Sequence, residues 1–269
     1  MKIIIYYFLN KMFGKKKHQR LFLILKNIGI QGMNYKNTEI EKNGELNLIN
    51  KISIYYKDLP NLILFDIGAN IGNYSTVLAQ KFTNNPKIFA FEPFSFPFKI
   101  LNNLSKTHST ILPFHFGFSD KEEKLIMFTS EGCSEIGGVY NRDFIFEDLQ
   151  HNVQEESFFT TLDLFTNKHQ ISKINFLKID VEGHEFAVLS GGKHLIETGK
   201  IDFIQFEFGA GNHFSRTFFM DFYNLLSPNY NLYRLLQDGL ERVTNYNSEI
   251  EIQTLCYYVA INKSINHSF

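Results

Sequence analysis

Leu62-Ile63-Leu64-Phe65-Asp66-Ile67-Gly68-Ala69-Asn70-Ile71-Gly72-Asn73-Tyr74-Ser75 decides the fold. A short apolar run ends in an acid, passes through a turn carrying Gly68 and Gly72, and opens directly into the helix-length stretch Ile71–Phe82. An apolar run this short, bounded by turn residues, reads as a buried strand. The same rhythm recurs outward from the turn. Strands are predicted at Leu62–Phe65, Lys87–Phe91, Ile111–Phe116, Asn175–Ile179, Ile201–Phe208, Asn231–Leu236 and Thr254–Ile261. Further helices are predicted at Phe96–Ser105, Glu185–Ile196 and Arg216–Leu226. Such alternation is the pattern of an α/β domain: a seven-stranded, mostly parallel sheet with helices on both faces. No helix separates the final two strands, where Gly239 and Asn245–Asn247 mark turns, so the last strand is expected to be antiparallel.

The 269 residues, 44% apolar and 20% charged, can bury a core without disulfides or a structural metal. Cys133 and Cys256 form no CxxC pair, which excludes a disulfide framework and a thiolate zinc site and makes the cytoplasm the expected compartment. The longest apolar runs, Ile3–Leu9 and Leu255–Ile261, fall far short of the roughly twenty residues of a membrane span. Lysines at 15, 16 and 17 interrupt any signal-peptide pattern.

Charge is uneven along the chain. Residues 1–38 hold seven Lys, Arg20 and no acid, while the whole chain carries −1, so the remainder sums to −9. The reading divides the chain into a basic N-terminal helical extension, 1–58, and an α/β domain, 59–269. The extension suits either peripheral contact with an anionic membrane or a helix packed on the domain with a solvated lysine face. Residues 129–157 are polar and turn-rich around Phe144 and Phe146, the composition of a lid or a surface insertion near the strand ends.

About 20 residues past Gly72, Glu92 stands at the end of the second predicted strand, where a carboxylate accepts both hydroxyls of a ribose. The dinucleotide fingerprint is not met, because Asn70 and Asn73 replace its second and third glycines, and this disfavours a pyrophosphate ligand and a nicotinamide-dependent oxidoreductase. The turn instead matches the D-x-G-x-N-x-G form of S-adenosylmethionine-binding methyltransferases. With Phe91-Glu92-Pro93, Phe118-Ser119-Asp120, Thr161-Leu162-Asp163 and Lys178-Ile179-Asp180-Val181-Glu182-Gly183-His184-Glu185, it resembles the FkbM family of methyltransferases over residues 60–210. The resemblance implies a Rossmann-like class I methyltransferase fold with S-adenosyl-L-methionine as cofactor. It places Asp66, Gly68, Asn70 and Gly72 around the amino-acid end of the donor, Glu92 on the ribose and Asp120 by the adenine.

Asn175–Asp180 should be a central strand, and a buried strand rarely carries Lys178 and Asp180 without a use or a partner. Both lie on one face, and the chain then delivers Glu182, His184 and Glu185 around Gly183. This cluster serves either catalysis or an ion-paired network that holds the loop and caps the next helix. A hydroxyl acceptor needs its proton removed. His184 is a candidate base because imidazole titrates near neutrality. Asp180, Glu182 and Glu207 compete for that role, and Lys178 would hold the acceptor oxygen or tune the acids. No H-E-x-x-H or comparable spacing appears, so no metal site is assigned, and the carboxylates leave Mg²⁺ open as an alternative. Nor does the chain show a nucleic-acid signature beyond its basic arm. The expected function is an O-methyltransferase acting on a hydroxyl of a saccharide, in a surface glycan or glycolipid. The alternatives are a non-sugar natural product as acceptor, or a non-catalytic donor-binding scaffold.

Overall fold

The computed structural model describes residues 10–130, 133–142 and 152–267, with 133–136 as backbone alone. Helices α1 (Gln19–Gly32) and α2 (Glu45–Tyr55) precede β1 (Ile63–Ile67), α3 (Asn73–Lys81), β2 (Lys87–Phe91), α4 (Ser95–Ser105) and β3 (Ile111–Phe114). Four strands follow: β4 (Gly117–Phe118), β5 (Glu123–Ser130), β6 (Cys133–Gly138) and β7 (Val153–Thr160). Then come α5 (Leu162–Lys168), β8 (Ile174–Ile179), α6 (Glu185–Ser190), α7 (Lys193–Glu197) and β9 (Ile201–Phe208). The chain ends through α8 (Asn212–Ser215), α9 (Phe219–Leu226), β10 (Tyr230–Leu235), β11 (Leu240–Val243) and β12 (Cys256–Asn262).

An eight-stranded sheet in the order β11-β10-β12-β9-β8-β1-β2-β3 forms the centre. The five strands from β9 to β3 in that order are mutually parallel, whereas β12 inserts antiparallel between β9 and β10. Every residue of β8 and β9 is buried, as strands covered on both faces require. On one face α2 and α3 bring Leu48, Ile49, Ile52 and Leu78 against Leu64, Phe176 and Val259. The other face is aromatic: Phe165 sets its ring edge-on to Phe91 at 5.1 Å and to Phe114 at 5.3 Å, the geometry that ring quadrupoles favour.

The sheet has one strand more than the sequence pattern predicts. The extra strand, β11, pairs with β10 at the edge, and its half-polar Leu240-Glu241-Arg242-Val243 is too short to show alternation between the turns that flank it. A second, four-stranded sheet, β4-β7-β5-β6, occupies the region read as an insertion and extends beyond it on both sides. Its long strands are partly exposed, and their polar and apolar residues fall in blocks without the alternation of a half-buried strand, so composition alone reads them as loop. Phe144 and Phe146 lie outside the described residues. The predicted helix Glu185–Ile196 divides into α6 and α7 at Gly191-Gly192, where a Cβ on Gly191 would stand 2.1 Å from the Ser119 carbonyl oxygen. The basic extension is not uniform either. Its C-terminal part, α2, belongs to the core of the sheet and buries Glu45. Among the described residues no helix is long and apolar enough to cross a membrane.

Candidate active site

A cavity of about 840 Å³ lies beyond the carboxyl ends of β1, β2, β8 and β9, where open α/β sheets bind ligands. Its size suits a ligand of nucleoside dimensions. One end is made by the turn after β1. Gly68 (φ +78°), Asn70 (φ 48°) and Gly72 (φ +94°) all adopt left-handed backbone, which glycine enters freely and asparagine tolerates. A Cβ on Gly68 would stand 1.8 Å from the Asp180 carbonyl oxygen, and one on Gly72 would strike Leu104 at 2.6 Å. Gly68 is therefore demanded by the protein's own packing, since the strand ends of β1 and β8 meet backbone to backbone there, while Gly72 is demanded chiefly by its left-handed backbone. Glu92, 4% exposed, faces the cavity and accepts hydrogen bonds from the backbone N–H of Asn70 (2.9 Å) and of Phe94 (2.8 Å). Burial pushes its carboxyl up to about 7. Gly117, Phe118 and Met127 complete this end with an apolar wall.

The other end is acidic. Lys178, buried at the end of β8, places Nζ 3.4 Å from Asp66 Oδ1, 3.4 Å from Asp180 Oδ2 and 5.1 Å from the Tyr74 ring centroid. Burial opposes its charge, but Asp180, Asp66 and Glu45 outweigh that cost and hold the ammonium above its ordinary pKa. Behind it Tyr74 donates to Gln205 (2.8 Å), Gln205 donates to Glu45 (2.5 Å), and Asn43 donates to the other Glu45 oxygen (2.7 Å). Burial raises Glu45 to about 7. The β8–β9 register, which pairs Ile179 with Phe206, sets Glu207 level with Asp180, and Tyr257 pairs with Glu207 from the other side. Glu207 lines the cavity at 9% exposure and makes no hydrogen bond or ion pair among the described residues. Burial, reinforced by Asp180, Glu182 and Glu185, lifts its carboxyl well above the ordinary range.

Past Asp180 the chain turns through Glu182 (φ 59°) and Gly183 (φ +104°). A Cβ on Gly183 would stand 2.5 Å from the Gly211 carbonyl oxygen, so this loop too is packed backbone to backbone. Glu182 is pinned by Arg142 at 2.6 Å, and burial raises its carboxyl against that cation's pull. His184 is engaged at both ring nitrogens, with Tyr140 at Nδ1 (3.0 Å) and Ser119 at Nε2 (3.1 Å). The Ser119 hydroxyl also donates toward Asp120 and Glu123. The consistent assignment has Nε2–H donating to Ser119 and Nδ1 accepting from Tyr140. Burial lowers the imidazole to about 4, against the pull of Asp120 and Glu123, so it is neutral near pH 7. Glu185 caps its own loop by accepting from Val181 (3.0 Å) and Gly183 (3.1 Å).

The cavity thus brings together Gly68, Asn70, Glu92, Lys178, Asp180, Glu182 and His184 of the residues singled out from sequence. Asp66 and Gly72 stand behind its wall, and Asp66 accepts from the Ser75 hydroxyl at 2.6 Å. Asp120 is exposed on a turn and does not line the cavity. The Thr161-Leu162-Asp163 motif is architectural: Thr161 caps α5, and Asp163 accepts from the first turn of α7 through His194 (2.9 Å) and Leu195 (3.1 Å). Arg142, Tyr140, Glu45, Gln205 and Tyr257 were not singled out, because nothing local in their sequence marks them. Among the described residues no group of three or more His, Cys, Asp or Glu is placed to hold a metal ion.

A mostly parallel sheet with β12 inserted antiparallel near its edge, a glycine turn after its first strand and an acid at the end of its second are the architecture of the class I methyltransferase fold. The model of the methyltransferase FkbM domain matches residues 66–235, and the chain belongs to that family. S-adenosylmethionine is the methyl donor that this family implies. The residues present fit that donor: Glu92 offers a carboxylate at the cavity wall, the turn offers open backbone, and the adjoining wall is apolar. The hexuronic acid methyltransferase AglP of Haloferax volcanii is 27% identical over 154 residues, 55% of this chain and 56% of that protein. The chain therefore matches little more than half of that relative's length. Among solved structures, methyltransferase FkbM from Methylobacillus flagellatus KT aligns with a TM-score of 0.46 at 16% identity, over 87% of this chain and 59% of that one. Aeropyrum pernix fibrillarin, in complex with natively bound S-adenosyl-L-methionine, aligns with a TM-score of 0.41 at 9% identity, over 78% of this chain and 73% of that one.

Proposed function

We propose that the protein methylates a hydroxyl group of a saccharide, in a glycan or glycolipid, and that Glu207 receives the proton the hydroxyl loses. The carrying observation is the charge of the cavity's second end. Asp180, Glu182 and Glu207 converge there, and the cations Lys178 and Arg142 are already engaged by Asp66, Asp180 and Glu182. A carboxylate acceptor needs no base and would be repelled by this surplus of acid, whereas a neutral hydroxyl is a poor nucleophile until a base takes its proton. The sugar-modifying relative supports a saccharide as the carrier of that hydroxyl.

S-adenosylmethionine, when bound, supplies a methyl group made electrophilic by its sulfonium. On this reading Glu92 holds the donor's ribose, and the backbone of Gly68 and Asn70 borders its amino-acid end. Asp66 and Gly72 act from behind the wall by fixing Lys178 and the turn. Asp180, held by Lys178, orients the acceptor hydroxyl, and Glu207, in its ionised form, is a stronger proton acceptor than an ordinary carboxylate because burial and the neighbouring acids favour its protonation. An oxygen–carbon bond forms as the carbon–sulfur bond breaks, and the hydroxyl proton passes to Glu207. Glu182, fixed by Arg142, shapes the acceptor side, and His184 positions Tyr140 and Ser119 instead of serving as the base, since its only lone pair already accepts a hydrogen bond. The apolar wall at Phe118, in place of Asp120, meets the adenine.

The test is transfer of labelled methyl from S-adenosylmethionine to a panel of neutral and uronic saccharides, with the product then treated with alkali, which cleaves a methyl ester and leaves an ether intact. An alkali-stable product is expected. Glu207→Gln should lower kcat by about 10²- to 10⁴-fold with donor affinity unchanged. An alkali-labile product, or full activity in Glu207→Gln, would overturn the acceptor class or the base respectively. Donor binding without turnover on any member of the panel would favour a scaffold.

A further inference from the structure

We infer that α1 and the basic segment before it form a docking face for an anionic lipid bilayer. The helix carries Leu21, Ile24, Leu25 and Ile28 at i, i+3, i+4 and i+7, one continuous stripe. In most globular proteins such a stripe faces the core. Here its four residues are 42%, 51%, 48% and 60% exposed, and Ile30 is the one buried residue of the helix. A 14-residue helix is marginal in water by itself, and most helical stability comes from covering the apolar face.

The surrounding charge identifies what covers it. Lys15, Lys16, Lys17, Arg20 and Lys26 are exposed and have no acidic partner among the described residues. No acid occurs in residues 1–38 or in the helix's first turn. Cations at a helix N-terminus oppose the helix dipole, so this arrangement is unfavourable in water and becomes favourable against a negative surface. A second copy of the chain would bring two such cationic segments together, while a bilayer with anionic headgroups offers apolar depth and opposite charge in one surface.

The helix is tied to the cavity rim at its C-terminal end. Arg234 donates to the Met33 carbonyl at 2.9 Å and stands 5.1 Å from the Tyr35 ring centroid, and the Lys36 N–H donates to the Leu255 carbonyl at 2.9 Å. Lys36 and Thr38 then line the cavity itself. A bilayer bound through α1 therefore lies close to the cavity's mouth, the position from which a lipid-linked acceptor would enter. That last consequence rests on the saccharide reading; the docking itself does not.

The experiment is co-sedimentation of the full chain with phosphatidylcholine vesicles, with and without phosphatidylglycerol. Binding to the anionic vesicles alone, weakened by salt, is expected. Lys15→Gln/Lys16→Gln/Lys17→Gln should lower partitioning roughly a hundredfold, and Ile24→Asp/Ile28→Asp should reduce it to the level seen with neutral vesicles. Unchanged affinity for S-adenosylmethionine in both variants shows that the fold and the donor site are intact. Equal binding to both vesicle types, binding to neither, or a stripe variant that binds like the wild type would overturn the inference. So would a dimer in sedimentation velocity that Ile28→Asp dissociates in protein that ignores vesicles, which would assign the stripe to a second copy.

Discussion

The two sheets of this molecule solve different problems with the same element. The eight-stranded sheet is buried on both faces in its middle strands, and its loops interlock through backbone contacts at Gly68 and Gly183. The four-stranded sheet packs around a small cluster, Phe94, Met127 and Phe159, and leaves most side chains of β5 and β7 partly or fully exposed. Each nevertheless contributes to the cavity: the large sheet supplies Glu92, Lys178, Asp180 and Glu207, and the small one leads to Tyr140 and Arg142. The groups proposed to do chemistry stand on the stiffer frame, and the partners that hold Glu182 and His184 come from the thinner one. A scaffold that fixes reacting groups tightly and leaves the acceptor side to a lightly anchored element admits change in acceptor without change in chemistry.

A matched pair of glycine substitutions should show the contrast most strongly. Gly68→Ala puts a methyl 1.8 Å from a backbone oxygen in a left-handed residue, and we expect a loss of about 4 kcal/mol or more, or no folded protein. Gly117→Ala in the small sheet meets a side chain, the Phe159 ring, in place of backbone, and should cost about 1–3 kcal/mol. Equal losses in denaturant unfolding would erase the distinction between the sheets.

The buried acid that opens α6, beyond the end of β8, gives the next effect. Burial raises Glu185 to about 7, so the folded protein holds a proton there that the unfolded chain releases near its ordinary 4.5. Stability from this group is complete below about 4.5 and is lost as pH rises through about 7. The unfolding free energy should fall by about 1–3 kcal/mol across that window, and Glu185→Gln, which can still accept from Val181 and Gly183, should flatten the slope. An unchanged slope in that variant would place the titration elsewhere. The smallest effect lies at the junction between the sheets. Thr161, whose hydroxyl accepts from the Leu164 N–H at 3.1 Å, starts α5 directly after β7. Thr161→Ala should cost about 1 kcal/mol in the same assay, and a larger loss would mean that the junction couples the two sheets.

Sequence reading succeeds where one element carries its own signal. The second and fifth predicted strands, Lys87–Phe91 and Ile201–Phe208, coincide with β2 and β9, because runs so apolar between turns have few alternatives. It fails at β5 and β7, where Glu123-Lys124-Leu125-Ile126 pairs antiparallel with Glu156-Ser157-Phe158-Phe159, and each segment mixes polar with apolar residues too evenly to announce burial alone. The site divides the same way. Glu92 and Asp180 are legible as acids at strand ends, while His184, read as a candidate base, is held by Tyr140 and Ser119 from the other sheet.

By itself the sequence determined the α/β class, the antiparallel close, the glycine turn and its family, and the acid-rich end of β8, since each rests on residues within a few positions of one another. Only the tertiary structure decided that Gly68 makes room for the Asp180 backbone, that Glu45 and Gln205 stand behind Lys178, that Asp120 faces solvent, and that Glu207 faces the cavity without a partner. These depend on which strands lie side by side. That choice comes from burying all the apolar faces at once, and no local window of the chain contains it.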